Sequence, residues 1–100
     1  MAIFMMQGFD DAGGAEIRKA TRPAHLEWIN SLGDKVKLGG PMLAEDGVTP
    51  VGSVIFLEAE TMEEAKAIYA EDPYRHAKLW RRIEIRHFAV VAGGFGELKE

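Results

Sequence analysis

Gly52-Ser53-Val54-Ile55-Phe56-Leu57-Glu58-Ala59, followed closely by Thr61-Met62-Glu63-Glu64, is the stretch that decides the fold. The first eight residues form a short apolar run rich in β-branched and aromatic side chains and opened by glycine, which reads as a strand. The next four are a capping box. The Thr61 hydroxyl can accept a first-turn N–H, and the Glu64 side chain can reach back toward the start of the helix. The spacing predicts a helix through Glu71, with Met62, Ala65, Ile68 and Tyr69 on its apolar side. Asp72-Pro73 ends it, because proline lacks the donor N–H and disfavours helical geometry in the residue before it.

Working outward, Ile3 to Phe9 is a second short apolar run, stopped by Asp10-Asp11 and Gly13-Gly14, and reads as a strand. A helical stretch follows, with Pro23 predicted to interrupt it. Ala15 to Ala20 gives a turn or two, and a second helix starts near Pro23, where a missing N–H needs no partner. On that helix Leu26, Ile29 and Leu32 share a face with Trp28 alongside, and Gly33 is the stop. Val36 to Gly40 is a strand closed by Pro41, and Asp46-Gly47 marks a turn in the connection that follows. After Asp72, Tyr74 to Trp80 suits a short extra helix and Arg82 to Val91 a last strand. The order strand, helix, strand, strand, helix, strand predicts an α+β fold of the ferredoxin-like βαββαβ type with a four-stranded antiparallel sheet. Residues 1–100 make a single domain, with a loose tail over 92–100.

Two helices cover one face of such a sheet, yet the strands are apolar on both. Ile3, Met5 and Phe9 oppose Phe4 and Met6, and Val54 and Phe56 oppose Ile55 and Leu57. A one-sided sheet alternates apolar with polar. The expected cover for the second face is another copy of the chain, giving a homodimer, with packing by the loops and tail as the alternative.

Composition narrows the function. The chain has 100 residues, 47% of them hydrophobic, and a net charge of −4 from 12 basic and 16 acidic residues. That balance argues against nucleic acid as the partner, since phosphate recognition needs clustered Lys and Arg. No apolar run approaches the ~20 residues of a membrane span. The sequence has no cysteine, hence no disulfide or thiolate metal site. The first basic residue is Arg18, so the opening residues lack the positive region of a secretion signal, and a cytoplasmic location is expected. His76 and His87 lack metal-ligand spacing with each other or with His25, and neither Gly13-Gly14 nor Gly93-Gly94 has phosphate-loop spacing. No metal and no cofactor are predicted.

Four places can carry chemistry. His25, in the first turn of the Pro23 helix, would be kept neutral by the local helix field and could accept a proton. It could equally be a half-buried histidine packed beside Trp28. Asp72 lies on the inward side of its helix and could cap the helix that opens at Pro73, face a cleft, or do both through its two oxygens. Arg22 could hold an anion or be a solvated cation. Gly39-Gly40-Pro41 could let a ligand approach the backbone or simply end a strand tightly.

Arg22-Pro23-Ala24-His25, Gly40-Pro41-Met42 and Asp72-Pro73-Tyr74, in that order and at these separations, resemble the YCII-related (YciI-like) family. The likeness runs from the first strand to the last. It implies a ferredoxin-like fold, a dimeric α/β barrel and a cleft in which a family His and Asp face each other, here His25 and Asp72. Arg22, Trp28, Gly40, Pro41 and Tyr74 are the ligand-binding residues expected around them. The family includes a dehydrochlorinase acting on a chlorinated hydroxyhydroquinone. The expected function is therefore proton transfer by a His–Asp pair, in the elimination, isomerisation or hydrolysis of a small cyclic or phenolic substrate. The alternative is a non-catalytic dimeric module that binds a small ligand.

Overall fold

A computed structural model of the chain describes residues 2–94. The elements are strand β1 (Ala2–Asp10), helix α1 (Gly14–Ser31), a 3-10 turn (Gly33–Lys35), strands β2 (Val36–Leu43) and β3 (Pro50–Ala59), helices α2 (Met62–Tyr69) and α3 (Pro73–His76), and strand β4 (Trp80–Phe88). The strands form one antiparallel sheet of order β2-β3-β1-β4. This is the ferredoxin-like α+β arrangement that the element order predicts.

The core lies on the helix side of the sheet. Phe4 and Met6 of β1 and Ile55, Leu57 and Ala59 of β3 are buried there against Ala65 and Tyr69 of α2, with Leu79 closing the layer. The Tyr69 hydroxyl lies 3.0 Å from the Phe4 carbonyl oxygen and 2.9 Å from that of Ile55, tying α2 to both central strands. Burial pushes the Tyr69 phenol above its ordinary value. The intervening residues Ile3, Met5, Val54 and Phe56 face the other way and are half-buried. Leu38 of β2 and Phe88 of β4 are exposed. The register puts Leu38 opposite Phe56 and Phe88 opposite Ile3, so both belong to this second face, opposite the described helices.

Strand β1 runs one residue further at each end than the sequence predicts, β3 starts two residues earlier, α2 ends at Tyr69 rather than Glu71, and three further differences have a physical reason. First, Pro23 does not start a helix: it sits inside α1, which runs unbroken for 18 residues. An interior proline removes one hydrogen bond, here from residue 23 to the Lys19 carbonyl. Lys19 and Pro23 are both exposed, so the carbonyl that loses its donor can meet water. Ile17, Trp28, Ile29 and Leu32 pack α1 onto the core on both sides of the proline, and that packing outweighs the local defect. Leu26 is not on this buried stripe and is exposed. Second, Pro41 does not close β2, which continues to Leu43. β2 is an edge strand, where a residue without an N–H is tolerated. Third, β4 covers Trp80–Phe88 rather than Arg82–Val91, and Tyr74–Trp80 contributes only part of the short helix α3. Residues 92–94 belong to no helix or strand. The remainder of the tail, including Phe95, lies outside the described residues. Among the described residues no helix is long and apolar enough to cross a membrane.

Candidate active site

The end of α2 carries the site's acid. After Tyr69 the chain leaves helical geometry at Asp72, whose backbone is extended, and re-enters it at Pro73. Asp72 is the N-cap of α3: its Oδ1 accepts the Tyr74 backbone N–H at 2.9 Å. The same oxygen lies 2.8 Å from His25 Nδ1. Asp72 is fully buried, and its Oδ2 has no hydrogen-bond partner among the described residues. The prospect that one oxygen caps while the other faces a cleft is thus corrected, because Oδ1 both caps α3 and meets His25, and neither oxygen lines the cleft.

This arrangement assigns the histidine tautomer. A carboxylate only accepts, so Nδ1 is the atom that carries the hydrogen between the two residues. When the ring is neutral, Nε2 then holds a free lone pair. The His25 side chain retains 14% of its exposure, and Nε2 has no partner among the described residues. The helix-field reason for a neutral imidazole does not apply, because His25 lies in the interior of α1, far from its N-terminus at Gly14. The ring is oriented instead by its bond to Asp72 and by stacking.

That stacking forms a column. Trp80 packs so closely on β1 that a Cβ at Gly8 would sit 2.6 Å from the indole, which only glycine permits. Tyr74 meets Trp80 edge-on, with ring centroids 6.0 Å apart. His25 then stacks on Tyr74 at 4.1 Å and 20°. The Arg18 guanidinium lies 5.4 Å from the centre of the Tyr74 ring. Burial raises the Tyr74 phenol, and the positive charges of Arg18 and Arg22 pull it back.

His25 and Tyr74 line a cleft of about 520 Å³ between α1 and the β2–β3 half of the sheet. Arg22, Gly40 and Pro41 line it too. Trp28 does not. It sits behind His25 with ring centroids 5.9 Å apart and packs on the core, so its expected place in the ligand wall is corrected. His76 turns away, with Nε2 2.9 Å from the Ala70 carbonyl oxygen, and His87 packs on Phe4. No group of three or more His, Cys, Asp or Glu that could hold a metal occurs among the described residues.

The sequence reading missed Arg18. It forms a two-point pair with Asp10 at 2.8 and 2.9 Å and also donates to the Gly52 carbonyl and the Ser53 hydroxyl. It thereby fastens α1 to β1 and β3 at one wall of the cleft. The available signal was its spacing: Arg18, Arg22, His25 and Ile29 fall on one helical face once α1 is read through Pro23.

A sheet of order β2-β3-β1-β4 with its helices on one face defines the class: this is an α+β protein with the ferredoxin-like fold. The YCII-related domain matches residues 2–89, and the chain belongs to that family. Protein YciI of Escherichia coli O6:H1 is 32% identical over 96 residues, covering 89% of this chain and 98% of that protein. Among solved structures, 5-chloro-2-hydroxyhydroquinone dehydrochlorinase (TftG) from Burkholderia phenoliruptrix AC1100, in complex with 2,5-dihydroxybenzoquinone, is 26% identical. Its TM-score is 0.79, covering 87% of this chain and 93% of that one. An antibiotic biosynthesis monooxygenase has a TM-score of 0.56 at 11% identity, covering 92% of this chain and 100% of that one, a likeness of fold alone.

Proposed function

We propose that this protein is a small-molecule enzyme in which His25 acts as a general base on a cyclic or phenolic substrate and Asp72 holds it in position. The observation that carries this reading is the 2.8 Å contact between His25 Nδ1 and a fully buried Asp72, with Nε2 left for a ligand in the cleft. The Asp72 carboxylate fixes the tautomer and stabilises the imidazolium formed when Nε2 takes a proton. The electron pair left behind stays on the substrate as an enolate or expels a leaving group from the neighbouring carbon. In an elimination, the proton ends on His25 and the leaving group departs with its bonding pair. The likeness to a dehydrochlorinase at a TM-score of 0.79 supports elimination as the first reaction to assay. Screening small hydroxylated rings for exchange of ring hydrogens with D2O tests the reading. Exchange that disappears in His25→Ala is the expected result, and exchange unaffected by His25→Ala removes the base.

The working form in this reading is a homodimer joined through the sheet face opposite the helices. Support comes from the apolar side chains of Met5, Val54 and Leu38 on that face, with its charged pairs Lys37–Glu58 and Arg86–Glu84 among the surrounding side chains. Sedimentation equilibrium at micromolar concentration is expected to give twice the 11.1 kDa chain mass. A monomer there contradicts it.

A further inference from the structure

We infer that the cleft selects an anion: a small planar ring compound whose negatively charged oxygen is held by Arg22 and Lys19 while His25 Nε2 addresses the ring beside it. This deepens the functional reading above and rests on the cleft being the ligand site.

Arg18, Lys19 and Arg22 line the cleft and no carboxylate does, although acidic residues outnumber basic ones in the chain. The charges divide unequally. Arg18 is neutralised by its two-point pair with Asp10, and its Nη2 is also held by Gly52 and Ser53. The Asp72 carboxylate lies buried behind His25. Lys19 and Arg22 form no ion pair among the described residues. Set against one buried carboxylate, those two cations leave the cleft positive.

The remaining walls dictate the body of the ligand. Leu26, Ile29, Pro41, Ile55 and the Tyr74 ring are apolar or aromatic. An inorganic anion would leave them wet, whereas a flat ring would cover them and strengthen the charge contact by excluding water. Arg22 and His25 are three residues apart on α1, a rise of about 4.5 Å along the helix axis. That is roughly the width of one ring with its substituent, so the anionic oxygen and the atom served by Nε2 fit on the same ring system. Arg22 offers a planar fork that suits a carboxylate, and it can also take a single phenolate or enolate oxygen.

The test is titration of the intact protein with benzoate and with 4-nitrophenolate, with benzamide as the uncharged counterpart. Binding is followed through the methyl signals of Leu26, Ile29 and Ile55. At least one anion is expected to move these signals and to bind tenfold or more tightly than benzamide. Which anion does so separates carboxylate from phenolate recognition. Arg22→Gln combined with Lys19→Gln is expected to weaken that anion at least tenfold while the other methyl signals stay unchanged, since both side chains are exposed. Benzamide binding equal to both anions, an unchanged double variant, or no movement of cleft methyls by either anion would each overturn the inference. His25→Ala separates it from the functional reading. If that variant still binds the anion and still exchanges ring hydrogens, the base assignment fails and anion selection stands.

Discussion

Thr61 and Asp72 perform the same local task and differ in everything around it. Each opens a helix by accepting a backbone N–H, Thr61 from Glu64 at 3.0 Å and Asp72 from Tyr74 at 2.9 Å. Thr61 is exposed, and the Glu64 side chain reaches back past it to accept the Glu60 N–H at 2.6 Å. Asp72 serves a helix of only four residues and is fully buried, with one oxygen unpartnered among the described residues. A surface Ser, Thr or Asn would cap as well. Burying a carboxylate with an unmet oxygen is unfavourable, and a single helical turn does not offset it. What separates the two caps is His25, which the Asp72 oxygen holds and the Thr61 oxygen does not.

The largest effect that can break this comparison is removal of both jobs of Asp72. Asp72→Ala loses the cap and strands the His25 Nδ1–H, and we expect a loss of about 3 kcal/mol in denaturant melts. A loss no larger than that of an exposed cap would show that the buried bond contributes little. Thr61→Ala supplies that reference. It is expected to lower stability by about 1 kcal/mol and leave ring-hydrogen exchange and anion binding unchanged. A change in either activity would mean that α2 transmits to the site, which the separation of the two caps does not predict.

The smallest effect sharpens the contrast from an exposed acid in a turn. Asp46, in the turn between β2 and β3, accepts the backbone N–H groups of Val48 and Thr49 and the Thr49 hydroxyl. The Thr49 hydroxyl first, then the two backbone donors, hold its carboxyl at about 2, below its ordinary 3.8. A depressed folded-state value means that the ionised form supports the turn above the ordinary value and that this support fades as pH falls from 3.8 toward 2. The Asp46 carboxyl-carbon shift followed by NMR should titrate in that lower range. A midpoint at the ordinary value would show the turn open in solution.

Much of this was legible in local sequence because its causes are local. The Thr61–Glu64 box and the Asp72-Pro73 junction state their own hydrogen bonds, and the alternation in β1 and β3 states which side chains share a face. The course of α1 was not legible, because Pro23 argues for a break and the packing that overrides it comes from distant strands. His25 was therefore read at a helix start, and the helix-field reason for its neutrality followed that error. Arg18 was passed over for a related reason. Its partners Asp10, Gly52 and Ser53 lie on two strands that only the folded sheet brings beside α1.

The most direct test of the His25–Asp72 pair is the protonation pattern of the His25 ring, read from long-range 15N–1H spectra at a pH where the ring is neutral. The geometry predicts hydrogen on Nδ1 and a bare Nε2 in the native protein. In Asp72→Asn, which keeps a capping oxygen but loses the charge, a shift toward a mixture of the two forms is expected, with near-native stability and loss of ring-hydrogen exchange. A native ring protonated on Nε2 with Nδ1 bare would contradict the account, because the nitrogen facing the cleft would then have no lone pair with which to take a proton.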